Sequence, residues 1–398
     1  MTKDKSPGVD GTVRRRSVFY ISGYDPRGPA HYHKLYGDEA ARQAKVNGHS
    51  FSVGPRRADG AIEAHWSVAC GHVSTDYRFL RYDDIMRQRW SRNALTLIRD
   101  ILRAFFPLLT RGVLPKVLGL SWPFFITLIS PFLVLLLAIL IAILAGTIVW
   151  ILSTALAGIV AAVAVFIGLA ALRSRLEQRI GAFWLARVFA FIVAQGGGTA
   201  PDIEARTDVF ATRVAAAMTE AGADEVLLIG HSAGAQIAVA AAARALKALE
   251  GQSVHLSLMT LGHTIPLLAL QPGAAKFRAE LESLGADKRL TWIDFSAAID
   301  GACFALTDPF AASGLTQPDP SQPVPKLLST RFPKLFAPAS YARLRRDFRR
   351  AHFQYLMAAE LAGGYDYFLI TAGDKSLGLR FGEFPSVANF NRFRFRRS

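Results

Sequence analysis

Between Lys116 and Arg173 the chain carries no charged side chain, and Leu, Ile, Val, Ala and Phe dominate the run. A single helical crossing of a bilayer takes about 20 apolar residues, and a buried core helix rarely reaches even half of this length. The run is therefore long enough for two crossings joined by a tight turn. Ser130-Pro131 and Gly146-Thr147 interrupt it, the second near its midpoint. The pattern predicts transmembrane helices over 122–145 and 147–172, with Trp122 and Trp150 suited to interfacial depths.

Charge sets the expected orientation. The formal net charge is +15 although only 19% of residues are charged, and 51% are hydrophobic. Arg87, Arg89, Arg92, Arg99, Arg103, Arg111 and Lys116 precede the apolar run, and Arg173, Arg175, Arg179 and Arg187 follow it. Basic flanks around an uncharged turn place both ends in the cytoplasm, where the arginines also face anionic headgroups. Residues 1–16 lack an apolar core of the signal-peptide kind, so the expected product is a multi-pass membrane protein with a cytoplasmic catalytic part. The apolar content excludes intrinsic disorder beyond a short N-terminal segment, 1–13. Arg14-Arg15-Arg16 and the tail Arg392-Phe393-Arg394-Phe395-Arg396-Arg397 raise the question of nucleic acid, but no binding signature accompanies either run. Cys70 and Cys303 are the only cysteines, too few for a disulfide scaffold or a four-cysteine zinc site. Asp83-Asp84 has no ligand set near it, and neither metal nor cofactor is expected.

Outside the insertion, 91–190, two mixed segments remain, 14–90 and 191–398. Ser17–Ser22 reads as a buried strand, followed by loop chemistry at 24–29 and a helix over His31–Val46. Ser50–Val53 and Ala61–Ala69 read as short strands. Gln195–Pro201 contains a triple glycine, the expected linker back from the membrane, and Ile203–Ala221 is amphipathic. Glu225–Ile229, His255–Leu261 and Leu290–Phe295 are apolar strands separated by helical segments over Ala235–Leu249 and Ala274–Leu284. Strands alternating with helices predict a mostly parallel sheet with helices on both faces.

The chemistry concentrates at Gly230-His231-Ser232-Ala233-Gly234, where a Gly-x-Ser-x-Gly motif joins an apolar strand to an Ala-rich helix. A serine in such a turn is exposed at the strand end, and the glycines permit close strand–helix approach. Here the chain resembles the α/β-hydrolase superfamily over everything outside the apolar insertion. The resemblance implies an α/β-hydrolase sheet, with Ser232 as nucleophile, Gly230 and Gly234 as the nucleophile elbow, and triad members in the order Ser, acid, His. A serine hydroxyl needs a histidine base oriented by a carboxylate. Only His352 lies downstream of the expected acid strand, and it is read as opening a helix. Asp300, just past Leu290–Phe295 and beside Gly301, is the preferred acid; Asp294, inside that strand, is the second choice. The resemblance also implies an oxyanion hole from the N–H of Ala233 and one from the loop after the first strand, here Tyr24. Many family members carry His-Gly where this chain has Ser22-Gly23. His231 and His263 are read as packing residues.

Phe310–Pro338 is proline-rich and is expected to be an irregular loop, a lid over the site or a surface insertion. Together these readings predict a membrane-anchored esterase- or lipase-like serine hydrolase acting on ester or thioester bonds of small-molecule, lipid-like or acyl substrates. Acyl transfer would use the same residues. The rival is a non-catalytic membrane scaffold with a hydrolase-like domain.

Overall fold

The computed structural model describes residues 12–91, 93–172, 181–319, 323–387 and 390–394. The expected disordered start therefore lies outside the described residues up to residue 11; Thr12 and Val13 are placed by pairing with 374–375, and Val13 is buried. Arg92, Arg173, Arg175, Arg179 and the tail from Phe395 onward also fall outside.

The fold is mixed α/β around a mostly parallel sheet. Its strands are β1 (Arg15–Ile21), β2 (Phe51–Val53), β3 (Arg57–Asp59), β4 (Glu63–Cys70), β5 (Val73–Leu80), β6 (Glu225–His231), β7 (Leu256–Leu261), β8 (Leu290–Ser296) and β9 (Lys326–Ser329). The order across the sheet is β2-β4-β5-β1-β6-β7-β8-β9, with β3 on β4. From β5 to β9 every neighbouring pair is parallel, whereas β4 runs antiparallel to β5, β2 and β3.

The period-two pattern of β1 shows why both sheet faces are covered. Phe19 and Ile21 point into one core with Leu228, Leu258 and Trp292, under the helices Pro201–Thr219, Gly234–Ala248 and Ala275–Ala286. Val18 and Tyr20 point into the other, with Ile229, Met259 and Phe295, under the helix Gly28–Asn47 and the C-terminal helices. Arg16, from the basic N-terminal run, is not a surface charge. It is buried against Glu225 at 2.7 Å, and Glu225 also accepts from the Ser257 hydroxyl.

Three sequence expectations change. Strand β5 was missed: Gly71, at φ 57°, turns β4 tightly back on itself, so one hairpin carries two strands. The proline-rich segment is not irregular throughout, because it supplies the edge strand β9 and a short helix, Pro309–Ala312. The insertion boundary at residue 190 falls inside the helix Ala182–Gly196, whose Trp184, Leu185, Val188 and Phe189 belong to the main core.

The apolar run also divides differently. One unbroken helix spans Trp122–Leu152, and a second, Ala155–Ala171, follows it. The expected turn at Gly146-Thr147 is helical. Gly146 is there because the second helix comes close: a Cβ on it would sit 2.8 Å from both the Gly158 carbonyl and the Ala162 methyl. The chain breaks instead at Ser153-Thr154, where the Thr154 hydroxyl caps the second helix by accepting from Ala157 N–H. Pro131 is likewise absorbed into the long helix. That helix is long and apolar enough to cross a membrane. Its first turns are anchored in the main core through Phe124 and Leu128, while its large side chains from Leu133 to Leu152 are mostly exposed.

Candidate active site

The parallel strands all end on one side of the sheet, and the candidate residues gather there. Ser232 follows β6 directly. Its φ of 55° is one of three positive values among the described non-glycine residues. Such a backbone costs of order 1–3 kcal/mol and persists only where the surroundings enforce it. Here Ser232 N–H donates to the Leu261 carbonyl at 2.9 Å, tying the turn to the end of β7. The flanking glycines are sterically required. A Cβ on Gly230 would lie 2.6 Å from Ala235 Cα, and one on Gly234 would run into the Ile21 and Ser22 carbonyls. The β1 end closes on the serine as well: a Cβ on Gly23 would be 3.0 Å from Ser232 Cβ.

Asp300 and His352, separated by Phe310–Pro338 in sequence, meet. His352 Nδ1–H donates to the carboxylate, with Oδ2 at 2.9 Å and Oδ1 at 3.0 Å, and neither side chain is exposed. Burial would raise the Asp300 carboxyl. The His352 ring, the Ala302 N–H and the Tyr355 hydroxyl outweigh it and hold the group below its ordinary range. The bond at Nδ1 leaves Nε2 as the free ring nitrogen, and this buried Nε2 has no hydrogen-bond partner among the described residues. The structure therefore does not join Ser232 Oγ to His352 Nε2 by a hydrogen bond. Contacts of this kind often tighten only around substrate. Nor does His352 open its helix: it is the penultimate residue of the short helix Phe348–Phe353.

His231 connects the two halves. Its Nε2–H donates to the His352 carbonyl at 3.0 Å, and the two rings lie 4.9 Å apart. Burial, helped by the neighbouring His352, lowers its pKa to about 3, so the ring stays neutral.

Asp294 is placed elsewhere. It accepts from the Thr260 hydroxyl at 2.7 Å and faces His263 at 3.8 Å, fully buried between β7 and β8. Its carboxyl is pushed above the ordinary range by burial. Tyr24 and Ala233 follow β1 and Ser232, respectively, and among the described residues neither N–H has a hydrogen-bond acceptor.

Two residues escaped the sequence reading. Tyr355 donates to Asp300 Oδ2 at 3.0 Å and accepts from Ala297 N–H at 3.0 Å, clamping the acid loop. Its spacing of three from His352 was a usable signal, since such residues share a helical face. Trp184 lies with its ring 5.7 Å from that of His352 and donates through Nε1 to the Tyr24 carbonyl at 3.1 Å. Nothing local in the sequence announces Trp184, because the returning helix brings it in from the far side of the apolar run. No group of three or more His, Cys, Asp or Glu side chains is arranged to hold a metal among the described residues.

Comparison of the chain with protein-family models, with curated proteins and with solved structures found no match in any of the three.

Proposed function

We propose that the chain is a membrane-anchored serine hydrolase of the α/β-hydrolase type, cleaving ester or thioester bonds through Ser232, His352 and Asp300. The observation that carries this reading is the buried Asp300–His352 pair with its unpartnered Nε2, set on the same side of the sheet as the strained Ser232. The sheet order is consistent with it, because β1 and β6 are adjacent and deliver the Tyr24 loop and the serine side by side, while β8, one strand further on past β7, delivers the acid to the same edge of the sheet. Ser232 Oγ attacks the acyl carbon while its proton passes to His352 Nε2. The leaving alcohol or thiol takes that proton, and water, activated by the same nitrogen, releases the acid from the acyl-enzyme. The N–H groups of Ala233 and Tyr24 hold the oxyanion.

The anchor in this reading is a two-span hairpin. The exposed stretch Leu133–Leu152 reaches ~30 Å at 1.5 Å per residue, the thickness of a hydrocarbon core. The helix Ala155–Ala171 returns across the bilayer, leaving the hydrolase part in the cytoplasm with the basic flanks. The missing Ser232–His352 hydrogen bond favours one rival, a scaffold that retains a hydrolase-like domain without turnover.

A fluorophosphonate probe separates them. Labelling of the full chain, abolished in Ser232→Ala, is the expected result. Asp300→Asn should slow labelling and turnover of a short acyl ester by roughly 10³–10⁴-fold, while Asp294→Asn should leave both within a few-fold. Labelling that survives Ser232→Ala would remove the serine assignment, and no labelling at all would favour the scaffold.

A further inference from the structure

A cavity of about 530 Å³ lies between the helices Ala94–Thr110 and Ala182–Gly196, within the range typical of small-ligand sites. Five arginines line it, namely Arg89, Arg99, Arg103, Arg111 and Arg187, against one carboxylate, Asp100. Asp202 answers Arg89 at 2.5 Å. Arg187 is fixed by the Ser91 hydroxyl at 2.9 Å and lies over the Trp90 ring at 4.5 Å. Asp100 stands 3.8 Å from Arg99. The Arg103 and Arg111 side chains make neither a hydrogen bond nor an ion pair among the described residues, although the Asp100 carboxylate acts on Arg103 through space. So many guanidinium groups around one enclosure repel one another unless an anion completes the set.

We propose that this cavity binds a phosphate group. Guanidinium forks match the oxygens of a phosphate two at a time, and uncommitted Arg103 and Arg111 supply donors that no protein acceptor uses. The surroundings fit a phosphate carried at a membrane surface. The helix Ala94–Thr110 exposes Leu95, Phe106 and Leu109, and its Phe105 stacks on Phe132 of the long apolar helix at 3.9 Å. Tyr24 forms part of the cavity wall, packed on Phe191 at 4.7 Å. Tyr24 follows Gly23, on which a Cβ would lie 3.0 Å from Ser232 Cβ, so the cavity wall and the serine turn share one loop. The site stands whether or not Ser232 is a nucleophile, because it is read by binding alone.

The test uses the full chain, with inorganic phosphate titrated onto protein in detergent in one arm. In the other, nanodiscs of phosphatidylcholine carry phosphatidic acid or an equal charge of oleate. Saturable binding of inorganic phosphate marks a site open to soluble phosphates. Binding to phosphatidic acid only marks a lipid headgroup site, and either result supports the proposal. Arg103→Gln with Arg111→Gln should weaken binding about ten-fold or more, and the Lys pair, which keeps the charge but loses the fork, should fall between that and the unaltered chain. In the unaltered chain, inorganic phosphate or phosphatidic acid, whichever binds, should shield Arg103 and Arg111 from phenylglyoxal, a readout that needs no variant to fold. Failure of both arms, equal binding to oleate, or affinity and phenylglyoxal reactivity indifferent to these arginines would overturn the assignment. Fluorophosphonate labelling of the same samples reports separately on Ser232.

Discussion

At Ser232 the backbone takes a left-handed turn that only its glycine neighbours make room for, and the motif announced this in the sequence. The Asp300–His352 pair was less legible. His352 followed from chain order once the resemblance was granted, and Asp300 from its place after a strand. Tyr355 and Trp184 are contacts made across long loops, which no local pattern encodes. His231 carries a consequence for pH. Its folded pKa of about 3 lies below the ordinary histidine value near 6.5, so the unfolded chain takes up a proton that the folded one refuses between them. Its stabilising contribution is complete above about pH 6.5 and declines as pH falls toward about 3, by up to ~1.4 kcal/mol per pH unit. Melting temperature should therefore fall less steeply between pH 6.5 and 4 in His231→Gln than in the unaltered chain. Parallel curves for the two proteins would contradict a buried neutral imidazole.

Among the elements, the long apolar helix departs most from what its sequence suggested. Gly146-Thr147 read as a turn because glycine usually breaks helices. In a densely apolar helix the same residue instead allows a neighbour to approach. Gly158 answers it, since a Cβ there would lie 2.6 Å from the Gly146 carbonyl and 2.7 Å from Trp150 Cβ. Gly158→Leu should cost about 1–3 kcal/mol, seen as a lower melting temperature in detergent. Gly168→Leu, where a Cβ meets nothing within 4 Å, should leave the melt unchanged. Similar losses at both positions would argue against a specific contact. Strand β9 shows the opposite error. A run rich in proline still donates a strand, because Lys326–Ser329 itself is free of proline: β8 pairs one side of it, and on the other Leu327 N–H donates to Ser386 Oγ while its carbonyl accepts from Val387 N–H.

For the whole molecule, the apolar run interrupts the α/β fold between β5 and β6, which lie on either side of β1 in the sheet. Ser153, at the break between the apolar helices, and Ser253, in the exposed turn before β7, should lie on opposite sides of a bilayer. Both native cysteines are buried, so an introduced thiol can be read against low background. Ser153→Cys should react with an impermeant maleimide in intact cells, and Ser253→Cys only in inverted membranes. Reaction of both from the same side would rule out the hairpin anchor.

Alternation and uninterrupted apolarity are local properties, so the sequence by itself determined the mixed α/β class, the main strands around the serine and the position of the apolar segment. Turn chemistry likewise marked the Gly230–Gly234 loop. Which side chains meet is not local. The pairing of Asp300 with His352, the clamp by Tyr355, the wedge of Trp184 and the convergence of five arginines on one cavity depend on elements far apart in the chain being packed together. Their contacts exist only once burying both faces of the sheet has brought those elements into place.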